Sequence, residues 1–478
     1  MIHQCVSVYL PAIVTAFSLM KIKQISPILF SVLCTCYSYA QDVYPFWKDD
    51  SLLKESSYKI SLEKKKQWLA AAGKPDADTY RKIYDQQFRE ITDIWQSSRS
   101  VTALPAHQYL QQLFAHIKKS NPAIAESDAR VIFTRDWWPN AYSMGEGTIV
   151  INAGLLTWLR NEAQLAFILC HELAHYHLDH SGKSVKRYVD TMNSAAVQQE
   201  LKRLSKDKYR VNQQLEALAK GITFNNRRHN REYEQAADHY ALSLMKQTGF
   251  DITQSVTTLE LLDKIDELLA ARPLDLQAVL NQSAYPFRQK WIQAESGIFS
   301  QLKASTNLTE QEKDSLKTHP DCRERIAAMQ QDTGAQIGQQ LFFTSNENFE
   351  RLKSEMYIEM MERCYQDNNL SRHLYFALSL LQHQPFQPVA AYAVARGLNT
   401  VYQRQKNHKL GLSVDAENKT FPEDYNLLLR MLNRIRLEEM VALNLAFCNS
   451  YNDRMSNYPA FRKEHELARQ LHKEQVNN

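Results

Sequence analysis

Glycine fills only 12 of the 478 positions, and that scarcity narrows the fold more than any other single feature. Tight hairpins, barrel corners and phosphate-cradling loops draw on positive-φ backbone, which glycine adopts without steric cost. A chain this poor in glycine leans towards helices, and a large all-β or doubly wound dinucleotide-binding protein is disfavoured. At roughly 100 to 200 residues per domain, the length accommodates two to four domains with real cores. With 44% hydrophobic and 23% charged residues, the composition is that of a folded protein rather than a disordered or multi-span membrane chain.

The spacing of apolar residues agrees with the glycine count. Trp68, Tyr80, Tyr84, Phe88, Ile91 and Trp95 recur at helical steps between Ser51 and Ser100, and a second helix follows Leu104-Pro105. The texture then changes. Arg130 to Arg135 and Thr148 to Asn152 read as strands, and Asp136 to Gly147, with Pro139, Gly145 and Gly147, reads as the loop between them. Helical patterning resumes from Gly154 to His180 and from Tyr233 to Lys246, and it runs almost unbroken from Asn346 to the end. The expected fold class is α+β, predominantly α: a small sheet in a mostly helical domain, followed by helical hairpins.

From Met20 the chain shows a basic start at Lys21 and Lys23, an apolar stretch from Ile25 to Tyr37, and Ser38-Tyr39-Ala40 before Gln41. That is the layout of a secretory signal peptide, with residues 1–40 removed and translation expected to start at Met20. Such a signal means export across a membrane; a periplasmic location, with association to the outer membrane, is the expectation carried forward for the exported chain. No later apolar run reaches the roughly 18 residues of a membrane span. The 57 basic and 53 acidic residues approach balance once Lys21 and Lys23 leave, which argues against nucleic acid as a partner. Cys170, Cys322, Cys364 and Cys448 then remain, with Cys364 and Cys448 the first pairing to test in an oxidising compartment.

The strongest chemical signal is His171-Glu172-Leu173-Ala174-His175. Histidines four apart sit about 40° apart on a helix, one turn along it, so both imidazoles reach one metal ion. Glu172 is rotated by about 100° from His171, where it can take the proton of a water that zinc has acidified. The preceding Ala166-Phe167-Ile168-Leu169-Cys170 marks a buried helix, in which a His pair and a Glu need a reason. A catalytic zinc takes three protein ligands. His177 and His180 lie near, but His180 follows His175 by five residues with no intervening glycine, unlike a metzincin-type third ligand. Glu200 is another option. Glu234 in Arg231-Glu232-Tyr233-Glu234-Gln235-Ala236-Ala237-Asp238 is the better one. Asp238, one helical turn on, can orient a ligand histidine while Glu234 binds metal, and Ala236 and Ala237 would let the two helices approach.

These residues resemble peptidase family M48, the gluzincins that include the CAAX prenyl endopeptidase and the bacterial heat-shock membrane protease. The resemblance runs from about Pro105 to Met329. It takes in HELAH, the later Glu234 and Asp238, Pro139-Asn140-Ala141-Tyr142, Gly145-Glu146-Gly147, Gly154-Leu155-Leu156, and Thr318-His319-Pro320 with Arg325. It implies one zinc ion held by His171, His175 and Glu234, with Glu172 as general base and Asp238 behind the ligands. It also implies that His319 and Arg325 face the metal, stabilising an oxyanion or holding substrate backbone. The strand Thr148 to Asn152, through Ile149 and Ile151, would offer an open edge to an extended peptide, with Asn140 and Ala141 contacting its backbone.

The implied organisation is a signal peptide (1–40), a helical lead-in (41–104), a zinc metallopeptidase domain (105–335) and a degenerate tetratricopeptide-like domain (336–478). Protein or peptide substrates follow, extended or misfolded segments of envelope proteins among them. The C-terminal helices are the expected face for an envelope partner, and the insertion Ser181 to Lys220 is expected to cover the cleft as a lid. The competing expectation is a helical chaperone or scaffold with a latent metal site, binding through residues 346–478.

Overall fold

A computed structural model describes residues 48–71, 76–204, 231–271, 273–293, 322–333, 340–418 and 421–477. It is mostly helical around one four-stranded sheet, ordered β1 (Ser100–Val101), β2 (Arg130–Thr134), β4 (Thr148–Asn152), β3 (Ala141–Ser143). β2 and β4 are parallel, with Val131 opposite Ile149 and Phe133 opposite Ile151. β3 returns antiparallel to β4, with Ala141 opposite Ile151. The segment expected to be a loop thus contains a short strand.

The same pairing corrects one expectation. Thr148–Asn152 is an interior strand, bonded on both sides, and Ile149 and Ile151 are fully buried. They cannot pair with a peptide because their strand has no open edge. The terminal strand on that side is β3, which begins at Ala141.

Both faces of the sheet are covered, because side chains alternate across a strand. Val131, Phe133, Ile149 and Ile151 join the core shared with helices Leu104–Ser120 and Glu162–His177. Ile132 and Val150 pack instead against Phe88, Ile91, Ile94 and Trp95 of the helix Ala77–Gln96. At about 1.5–3 kcal/mol for each large apolar side chain taken from water, those four contacts anchor the N-terminal helices as a third layer.

Two glycines serve backbone geometry here. Gly147 closes the turn into β4 with φ of 101°, and its amide donates to the Met144 carbonyl at 2.9 Å. Gly154 lies so close to the β2–β3 loop that an added Cβ would sit 2.0 Å from the Trp137 carbonyl oxygen.

The long helical pattern after Gly154 is broken into Ala153–Trp158 and Glu162–His177. Asn161 starts the second helix, its Oδ1 accepting from the Gln164 amide at 3.0 Å. Of the insertion expected as a lid, residues 181–204 are described. Helix His180–Met192 is docked through buried Val185 and Val189, and it packs against helices Ala77–Gln96 and Glu162–His177. Residues 205–220 lie outside the described residues, as do the N-terminal 47.

Six C-terminal helices span Asn346–Gln366, Leu370–His383, Pro388–Lys406, Glu423–Arg434, Leu437–Tyr451 and Pro459–Asn477. Their apolar faces belong to the same core as the sheet. Cys364 and Cys448, the first pairing to test, are buried free thiols on different helices, and helix Pro388–Lys406 packs against both carriers. Burial raises the pKa of each. No helix among the described residues is long and apolar enough to cross a membrane.

Candidate metal centre

Helix Glu162–His177 is buried from Glu162 through Ala174, so its HExxH segment meets the protein interior rather than solvent. A second helix over 231–245 lies against it, with Ala237 and Ala241 fully buried. Ala236, expected at the contact, is exposed instead.

The facing side chains converge. His171 Nε2 and His175 Nε2 are 3.0 Å apart, and the Glu234 carboxylate lies 3.5 Å from the first and 3.3 Å from the second. One ligand atom from each of the three residues fits within 4.8 Å of the others. The outer nitrogens are engaged as well. His171 Nδ1 is 3.0 Å from Asp238 Oδ1, and His175 Nδ1 is 2.9 Å from His180 Nδ1. Both rings are thereby fixed with Nε2 inward. Two imidazoles and one carboxylate form the donor set of a catalytic zinc site, so the residues present fit that ion. Glu200 is not part of the cluster; it pairs with Arg203 at 2.6 Å on the helix Ala195–Leu204. His177 is exposed and stacks on Tyr240.

Charge explains how these groups titrate. Burial pulls the His171 pKa down, but hydrogen bonds to Asp238 and Glu234 and their negative charge overcome it and push it up to about 10. For Asp238, burial acts upward, yet Arg325 and His171 hold the carboxyl below its usual range. Burial, helped by the neighbouring His175, pushes His180 down to about 4.

Arg325 lies beside the cluster. Its Nε and Nη2 grip Asp238 at 2.6 and 2.8 Å, and Nη1 lies 2.8 Å from Glu234 Oε2. The guanidinium thus sits against both carboxylates, and it also lines the pocket that holds His171 and Glu172. His319 lies outside the described residues.

Glu172 is buried beside a pocket lined by His171, Arg325, Pro139, Asn140, Ala141, Leu155, Phe167, Ile168, Leu259 and Leu262. Asn140 Oδ1 is buried there without a hydrogen-bond partner among the described residues. Sequence reasoning placed Asn140 and Ala141 here but missed Leu259 and Leu262, which come from helix Gln254–Ala271. Their region reads as an insertion, and no local spacing ties it to the histidines. Trp137 is partly buried against the core and Trp138 is 43% exposed, so the two tryptophans divide between core and surface.

No match is found among curated proteins. Residues 106–333 match the model of peptidase family M48, a range that takes in β2, β3 and β4, both histidines, Glu234, Asp238 and Arg325. This chain belongs to peptidase family M48, a family of metallopeptidases, and is a hydrolase of peptide or protein substrates.

Proposed function

We propose that the protein is a zinc-dependent endopeptidase cleaving extended or misfolded segments of exported proteins. The observation that carries this reading is the meeting of His171, His175 and Glu234 on one point, with buried Glu172 beside it. His171, His175 and Glu234 would hold the zinc. When bound, zinc supplies Lewis acidity, polarising the scissile carbonyl and making an attacking water easier to deprotonate. The Glu172 carboxylate accepts that proton and later delivers it to the departing amine. Asp238 keeps His171 turned through its Nδ1, and Arg325 holds both carboxylates in place. An extended segment lying beside β3 would bring its backbone to Asn140 and Ala141, and the apolar wall of the pocket suits a hydrophobic side chain next to the cleaved bond. Export rests on the signal-peptide pattern at Met20 to Ala40.

The test is Glu172→Gln. The variant should keep about one zinc per chain yet lose cleavage of an unfolded protein by at least ~100-fold, in line with loss of a general base. Unchanged turnover, or wild-type protein without stoichiometric zinc, would overturn the reading.

A further inference from the structure

We infer that His180 is a positioning residue for the metal centre: its imidazole holds His175 in the one tautomer and orientation that turns Nε2 towards Glu234. This rests on the zinc reading above and goes beyond it, because His180 is not one of the three convergent donors.

His175 Nδ1 and His180 Nδ1 are 2.9 Å apart. Two neutral imidazole nitrogens at that distance share one proton, so one ring donates and the other accepts. A His175 that offers the lone pair of Nε2 to a metal carries its proton on Nδ1. His180 Nδ1 is then the acceptor, and His180 carries its own proton on Nε2. The arrangement differs from that of the other histidine, whose Nδ1 faces a carboxylate, Asp238, at 3.0 Å. One ring is thus steered by an anion and the other by a neutral ring.

His180 is built into its place. It is 6% exposed, and its ring stacks on Tyr233 with centroids 4.4 Å apart and planes 11° from parallel. Tyr233 immediately precedes Glu234, so the residue that wedges His180 sits on the same helix as the carboxylate. Arg187, one helix over, donates to the Tyr233 hydroxyl and lies over its ring, with its Cζ 5.0 Å from the centroid. The chain Arg187, Tyr233, His180, His175 therefore ties helix His180–Met192 to the metal centre. Its five-residue spacing from His175 unfits His180 as a metzincin-type ligand, yet brings it to the far side of the His175 ring.

Two substitutions separate the hydrogen bond from the packing. His180→Phe keeps an aromatic ring to stack on Tyr233 and removes the acceptor; His180→Asn keeps an acceptor and removes the stack. Zinc affinity is measured by competition with a chromophoric chelator, and the coordination geometry by the visible absorption of the cobalt(II)-loaded protein. His180→Phe should bind zinc about 10- to 100-fold more weakly than wild type, the usual cost of losing an outer hydrogen-bond partner. It should also show a shifted cobalt spectrum. His180→Asn should recover at least part of both. Wild-type affinity and spectrum in His180→Phe would overturn the inference, as would an Asn variant no better than Phe at equal folded content by circular dichroism. Either result leaves the peptidase reading standing if wild type binds one zinc and Glu172→Gln is inactive. Failure of wild type to bind zinc would sink that reading instead.

Discussion

Arg325→Met removes the cation that sits between Asp238 and Glu234 while keeping most of the side chain's volume. The guanidinium is 3% exposed and makes contacts of 2.6, 2.8 and 2.8 Å. Its loss leaves two carboxylates in a buried site with less positive charge, and breaking a buried ion pair from one side costs about 3–5 kcal/mol. The effect has a pH signature. Asp238 is held below its usual pKa in the fold. A carboxyl depressed in this way contributes stability that is complete above its unfolded value, near 4, and that is lost as pH falls through the folded value. The methionine variant lacks most of that contribution. Its deficit should be about 3–5 kcal/mol at pH 7 and should shrink as pH falls below about 4. Urea unfolding followed by tryptophan fluorescence, in chelator and at pH 7, 5 and 3.5, measures it. A deficit under about 1 kcal/mol at pH 7, or one that is the same at every pH, would show that Arg325 acts by packing and refute the electrostatic argument. Arg325→Lys should restore only part of the loss, since an ammonium cannot reproduce the two-pronged grip on Asp238.

Gly154→Ala puts a methyl group 2.0 Å from the Trp137 carbonyl oxygen, so backbone must move; the expected cost is about 1–3 kcal/mol, and an unchanged melting temperature would contradict the close approach. In residues 41–478 carrying Cys322→Ser, which leaves out Cys5, Cys34 and Cys36, Cys170, Cys364 and Cys448 should react with a thiol reagent only after unfolding, with the same gel mobility with and without reductant. Fast labelling of the native protein, or a mobility shift on reduction, would show that the burial and free state of these thiols are misread.

The helices and the HExxH centre were legible because both depend on local spacing. Periodic apolar residues define a helix, and histidines four apart define a shared face. Glu234 and Asp238 were legible for the same reason, as a pair one turn apart on a second helix. What escaped depends on contacts distant in sequence. The interior place of Thr148–Asn152 follows from β3 folding back on it, and three residues flanked by Pro139 and Gly145 carry too little alternation to announce a strand. The grip of Arg325 on Asp238 spans 87 positions, and no pattern within either helix encodes it. His180 is outside the ligand set, as its spacing implied, but its contact with His175 Nδ1 was not legible, since spacing tests a histidine for metal reach and not for reach to another histidine's outer nitrogen.

The C-terminal helices are joined to the metal centre in a way that bears on the scaffold alternative. Glu162, the first residue of the HExxH helix, accepts from the Thr344 amide at 2.8 Å, from the Phe343 amide and from the Tyr109 hydroxyl. The next residue's amide donates to the Leu341 carbonyl at 3.0 Å. The helix that carries His171 and His175 is therefore started by the segment leading into the C-terminal helices. Further along, Arg135 beside β2 donates from Nε to buried Glu359 at 2.5 Å. Arg372 places its guanidinium 4.2 Å from the Trp137 ring and 3.8 Å from the Tyr425 ring, bridging the loop before β3 to the C-terminal helices. Deleting residues 346–478 would take Glu359 from Arg135, leaving it Asp49 at 3.0 Å, and would remove the helices that follow the segment bonded to Glu162. A scaffold that bound partners through those helices and a peptidase that needed them for its own fold would both fail on truncation. The two readings separate only where the fold is untouched, which is why Glu172→Gln decides between them and removal of the C-terminal region does not.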